Sequence, residues 1–140
     1  QASERLLSKA EERWTTAIER AGGDAFNEIV RMYVSASHRD ATGAGCALAA
    51  LAPDAARHGA GVRAAFCAKI RTHIDLLTKI MPGRSAEAKR KKALSALAEM
   101  VGAVVLARAT KGDELSDELL DAVVSDLTSA GSKRSVVAQP

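Results

Sequence analysis

The spacing of its apolar residues constrains this chain most. They recur at intervals of three and four over long stretches, and no alternating run rich in Val, Ile, Thr and aromatics appears. Intervals of three and four follow one face of a helix, whereas a half-buried strand repeats every second residue. The expectation is an all-α fold. Composition agrees, because 47% of the residues are hydrophobic, many of them Ala, and only 3% are aromatic. Ala is the best helix former, and its small side chain lets helices approach closely. So much apolar content also argues against disorder throughout. A chain of 140 residues suffices for one domain with its own core.

About six segments read as helices. The first runs from about Glu4 to Ala21, with Ser3 as N-cap and Leu7, Ala10, Trp14, Ala17 and Ile18 on one face. Gly22 and Gly23 end it. Asp24 is placed to cap a second helix, Ala25 to about Ser37, whose stripe is Phe26, Ile29, Val30 and Tyr33. A loop is expected over 38–45, then a short apolar segment from Cys46 to Arg57 in which Pro53 implies a kink or a fresh turn. A long helix is expected over about Val62 to Met81, stopped by Pro82 and Gly83. Ser85 caps a fifth segment that reaches Thr110, and Gly112 breaks it. Ser116 is placed to cap a last helix over about 117–129. Residues 1–130 read as one helical ligand-binding and dimerisation domain, and 131–140 as a flexible tail.

The formal net charge is +3, from 20 basic and 17 acidic residues, too mild to argue for nucleic-acid binding by this chain alone. The longest apolar run, near Met100 to Ala107, is far too short to span a bilayer, so no membrane partner is expected. Cys46 and Cys67 form no CxxC motif, and the reading is a reducing cytoplasm. The chain starts with Gln and shows no signal peptide, which reads as a processed or truncated product.

Little points to catalysis, and no enzyme is expected. None of the three histidines sits at metal-ligand spacing, so neither metal nor cofactor is expected. There is no GxSxG, P-loop or dinucleotide fingerprint. Gly43-Ala44-Gly45-Cys46 follows no strand, which argues against a phosphate cradle. His73 stands out because it shares a stripe with Val62, Phe66, Ile70, Leu77 and Met81. A histidine there needs a hydrogen-bond partner or faces a cavity, so it is either a satisfied core residue or a ligand-recognition residue. The aromatics Trp14, Phe26, Tyr33 and Phe66, spread over three helices, either line one pocket or form ordinary core. The two cysteines read as small hydrophobic packing ahead of redox sensing. The run Lys89-Arg90-Lys91-Lys92 reads as a solvated face.

Two stretches carry a family resemblance. Tyr33-Val34-Ser35-Ala36-Ser37-His38-Arg39-Asp40 with Gly43-Ala44-Gly45-Cys46-Ala47-Leu48-Ala49-Ala50-Leu51-Ala52 is one. Met100-Val101-Gly102-Ala103-Val104-Val105-Leu106-Ala107-Arg108-Ala109 with Leu115-Ser116-Asp117-Glu118-Leu119-Leu120 is the other. Both, in this order, resemble the C-terminal domain of TetR/AcrR-family transcriptional regulators. Ala47 departs from the Pro usual there. The helix-turn-helix head of that family is absent from this chain, and residue 1 would fall just after it.

The resemblance implies a homodimeric repressor that holds two heads on operator half-sites about 34–36 Å apart. A small effector would bind the body and shift the dimer between shapes of different operator affinity. The last two helices of each subunit would pair as a four-helix interface, and the broad apolar faces of both agree. The expected interface is Leu94, Leu97, Val101, Val105, Leu119, Val123 and Leu127. The expected pocket, for a small apolar or amphipathic effector, is Trp14, Phe26, Tyr33, Phe66, Ile70, His73 and Met100. Operator duplex DNA is a partner only through the missing head. The alternatives are a helical dimeric interaction module, or a small-molecule carrier, with no transcriptional role.

Overall fold

The computed structural model describes residues 2–41 and 47–137, with the side chains of 2–4, 6–8, 47, 51 and 129–137 outside the description. Among the described residues there are seven α-helices and no strand. They are α1 Ala2–Ala21, α2 Ala25–Tyr33, α3 Ala36–Asp40, α4 Ala47–Arg57, α5 Ala60–Ile80, α6 Ala86–Ala109 and α7 Glu114–Val137. A single 3-10 turn, Gly22–Asp24, joins α1 to α2. The fold is the all-α bundle that the apolar spacing implies.

The count exceeds six because the second expected helix is split. Val34 leaves the helical region at φ −89° and ψ 76°, and Ser35 is extended at φ −144° and ψ 155°. The Ser35 hydroxyl then accepts from the His38 amide at 3.1 Å, restarting a helix where a loop was expected. Glycines do end helices here: Gly22 at φ 58° follows α1, and Gly112 at φ 98° lies between α6 and α7. Ser85 caps α6 as expected, accepting from the Ala88 amide at 3.1 Å.

Other caps differ. Asp24 makes no cap, and its carboxylate instead accepts from the Asn27 amide group at 2.8 Å. Helix α7 begins at Glu114, and Asp113 accepts from the Leu115 amide at 2.9 Å in the role expected of Ser116. Ser116, buried, donates to the Ala107 carbonyl at 2.7 Å, tying α7 to α6. Pro53 sits inside α4 without ending it, and α7 continues to Val137, past its expected end. The Gly43–Cys46 string and the Leu7 side chain lie outside the described residues.

Helix α6 is the axis of the bundle. Ala93, Ala96, Leu97, Met100, Ala103, Val104 and Ala107 are buried along one face. Four of these are Ala, which lets α5 and α7 pack closely against it. At about 1.5 Å per residue, its 24 residues span about 36 Å. Helix α1 packs on α2, α4 and α5 and brings Trp14 into the same core as Ile29, Val30, Tyr33, Ile74 and Leu77. Polar contacts hold the short α3 in place. Arg108 donates to the carbonyls of Arg39 at 3.1 Å and His38 at 3.0 Å, and Arg39 donates to Asp117 at 2.7 Å. No helix among the described residues is long and apolar enough to cross a membrane.

Candidate functional site

Three of the expected pocket residues meet in the core. His73 of α5 lies edge-on to Trp14 of α1, with ring centroids 4.8 Å apart and planes at 83°. Trp14 in turn meets Tyr33 of α2 at 5.8 Å and 89°. Edge-to-face packing is the geometry that aromatic quadrupoles favour. Tyr33 continues the series to His38 of α3 at 4.5 Å. His73 is fully buried, and Trp14 and Tyr33 are each only 2% exposed.

The hydrogen bonding of His73 is one-sided. Its Nδ1 lies 2.9 Å from the Lys69 carbonyl, one turn earlier in α5. A carbonyl only accepts, so Nδ1 carries the proton and donates. In the neutral ring Nε2 is then a bare acceptor, and it has no hydrogen-bond partner. Burial pushes the His73 pKa below the ordinary histidine value, outweighing the Lys69 carbonyl bond and the nearby Glu11 carboxylate, which act the other way. The ring is therefore neutral at physiological pH.

A second acceptor lies beside it. Glu11 Oε1 of α1 is buried without a hydrogen-bond partner. Lys69 Nζ approaches it to 3.2 Å, a charge contact not aligned as a hydrogen bond. An unsatisfied buried acceptor costs about 1–3 kcal/mol. His73 Nε2 bears that cost without compensation, whereas Glu11 Oε1 is offset by the Lys69 ammonium.

The other expected pocket residues are spread more widely. Met100 is fully buried in the α6 core face. Phe66 and Ile70 are partly buried against the core on α5, while Val62, at the start of the same stripe, is 48% exposed. The apolar stripe of α5 thus leaves the bundle towards its N-terminus. Phe26 is partly buried and lines a separate groove with Ile80 and Leu127. Glu11 and Lys69 were not among the expected residues. The available signal was spacing: Glu11 lies three residues before Trp14, and Lys69 four before His73, each one turn away on the same face.

The expected interface residues divide by burial. Leu97 is 6% exposed and packs inside the bundle, three residues from Met100 on the core face. Leu94 is 44% exposed, and Val101, Val105, Leu119, Val123 and Leu127 are half-buried. Leu106 and Leu115 add exposed apolar surface at 52% and 47%. Beside its core face, helix α6 keeps a second apolar stripe at four-three-four spacing, Leu94 and Ala98 exposed and Val101 and Val105 partly buried against the core.

Two smaller expectations change. Cys67 is a free, exposed thiol and does not pack in the core, because its position on α5 turns away from the His73–Leu77 face. Cys46 lies outside the described residues. The basic run is only partly a solvated face: Arg90 reaches Asp75 at 3.3 Å and Lys92 donates to the Pro82 carbonyl at 3.3 Å, so both fasten α6 to α5 and the turn after it. Among the described residues no group of His, Cys, Asp and Glu is placed to hold a metal ion. Neither a protein-family model nor any curated protein matches the sequence.

Proposed function

We propose that this chain is the effector-binding and dimerisation body of a TetR/AcrR-like transcriptional repressor, acting with a DNA-reading head outside these residues. The observation that carries the reading is the buried His73 Nε2, an acceptor with no hydrogen-bond partner, beside the Trp14 and Tyr33 rings and the Glu11–Lys69 ion pair. Natural cores satisfy the great majority of such groups, so an exception needs an explanation, and a bound donor is the one this reading supplies. The effector is a small molecule with an apolar body and one or two hydrogen-bond donors, an alcohol or an amine. Phe66 and Ile70 of α5 supply apolar contact as the stripe leaves the bundle.

The second supporting feature is the apolar stripe on α6, together with exposed Leu115 and half-buried Leu119 on α7. A homodimer that buries these helices against their copies would hold two heads at a fixed separation. An effector then acts only through unequal affinity for two dimer shapes. Cytoplasmic placement accompanies this reading, as does the absence of enzymatic chemistry.

The test is a thermal-shift screen of apolar alcohols and amines against the whole chain. A ligand at about a hundred times its Kd raises stability by about 2.7 kcal/mol. The proposal expects such hits, and expects His73→Met to abolish them. A screen in which no compound shifts the wild-type melt, or in which the shifts survive His73→Met, overturns it.

A further inference from the structure

A second groove lies away from the aromatic cluster, where the start of α2, the end of α5, the first half of α6 and Leu127 of α7 converge. Its volume is about 760 Å³, within the range of roughly 300–1,000 Å³ common for small-molecule sites. None of Trp14, Tyr33 or His73 lines it. Phe26, Ile80, Met81 and Leu127 supply apolar walls, and Met81 at 6% exposure lies at the floor.

Cations gather around it. Lys79 and Lys91 are exposed, and neither has an ion-pair partner among the described residues. Lys92 also lines the groove and donates to the Pro82 carbonyl. The groove's own acids, Asp24 and Glu99, offset these cations only in part. Asp24 is engaged with the Asn27 amide at 2.8 Å and lies 3.7 Å from Arg31. Glu99 is partly buried and neighbours Asp126 of α7, and both circumstances favour its protonated form. Burial and that neighbour push the Glu99 pKa up to about 7. An apolar trough with unpaired ammonium groups at its edge matches a molecule of the opposite pattern, with an apolar body and a negative head.

We propose that this groove is a binding site for an amphipathic organic anion, a carboxylate on an alkyl or aryl body, independent of the His73 cluster. The body lies on Phe26, Ile80, Met81 and Leu127, and the carboxylate reaches Lys79 and Lys91.

Isothermal titration of the full chain with dodecanoate at neutral pH tests this, with dodecanol and dodecyltrimethylammonium as head-group controls. Dodecanoate binds saturably at one site per protomer, and each control binds about tenfold or more weakly, as the loss of a charged contact requires. Lys79→Gln/Lys91→Gln alters only exposed side chains, so the fold stands, and it brings dodecanoate down to the affinity of dodecanol. His73→Met leaves the dodecanoate Kd unchanged, which separates this site from the proposed effector cluster. Vesicles of phosphatidylglycerol do not sediment the chain. The proposal is overturned if dodecanoate shows no saturable binding or binds no tighter than dodecanol. It is equally overturned if the double substitution has no effect, if His73→Met abolishes binding, or if the vesicles carry the chain down.

Discussion

Replacing His73 with Met should stabilise this protein, although it removes a hydrogen bond from the core. Nε2 of His73 is a buried acceptor with no partner, a liability of about 1–3 kcal/mol. The bond lost, from Nδ1 to the Lys69 carbonyl, contributes about 0.5–1.5 kcal/mol. That carbonyl stays in the backbone ladder of α5, so no new orphan forms. Met is close to His in size, adapts to irregular gaps, and makes a favourable sulfur contact with a ring such as Trp14. The balance is a gain of about 1 kcal/mol at pH 7.5.

The pH dependence sharpens the test. The folded pKa of His73 lies below its unfolded value of 6.5, so its neutral form is favoured in the fold. The unfolded chain therefore takes up the proton first as pH falls, and stability is lost below 6.5 until the folded pKa is reached. For one histidine the loss between pH 7.5 and 5.5 is at most about 1.4 kcal/mol, the limit for a ring that never protonates in the fold. His38, whose pKa burial also lowers, contributes equally to wild type and variant and cancels in the difference. The advantage of His73→Met over wild type should then be larger at pH 5.5 than at pH 7.5. Urea denaturation followed by circular dichroism, at both pH values and one protein concentration, measures this. If the variant is instead less stable by 1–2 kcal/mol at pH 7.5, with the acid sensitivity unchanged, then Nε2 has a partner and the argument for a ligand at this cluster fails.

Three further outcomes are expected. Leu94→Glu/Ala98→Glu places charges at two exposed positions of the outer stripe of α6 while sparing its core face, and should yield a folded monomer by sedimentation equilibrium; a dimer of wild-type strength would exclude this stripe from the interface. Glu99 has a folded pKa raised from 4.5 to about 7, so its contribution is full below 4.5 and lost as pH rises through 7. Glu99→Gln should flatten the decline in melting temperature between those values, and an unchanged profile would contradict the raised pKa of Glu99. Met100→Ala should cost about 2–5 kcal/mol in urea denaturation, because Met100 is fully buried at the centre of α6, and a cost under about 1 kcal/mol would mean the core there is not packed as described.

The fold was largely legible because its causes are local. Apolar intervals of three and four placed α1, α5, α6 and α7, and Gly22, Ser85 and Gly112 marked ends that depend on single residues. What was not legible depends on partners far along the chain. Ser116 has the identity of a cap, yet its hydroxyl reaches Ala107 instead, and Asp113 takes the cap. The break at Val34–Ser35 needed the His38 amide to bind the Ser35 hydroxyl, an option that Ser offers at many positions without taking it. Within the candidate site, His73, Trp14 and Tyr33 were readable as residues on apolar faces. Glu11 was hidden in the charged run Glu11-Glu12-Arg13, where only the packing of α1 on α5 singles out one carboxylate. Leu97 and Leu94 both belong to apolar stripes, and only the position of α5 and α7 decides that one faces the core and the other faces out.

The proposed function is that of a helical dimer carrying a donor-bearing small molecule at His73. Native mass spectrometry of the chain purified without added ligand tests it most directly. The account predicts a dimer whose mass exceeds twice that of the protomer by a small organic adduct on each copy, with the adduct lost in His73→Met. A monomer, or an adduct retained at full occupancy in His73→Met, would contradict it.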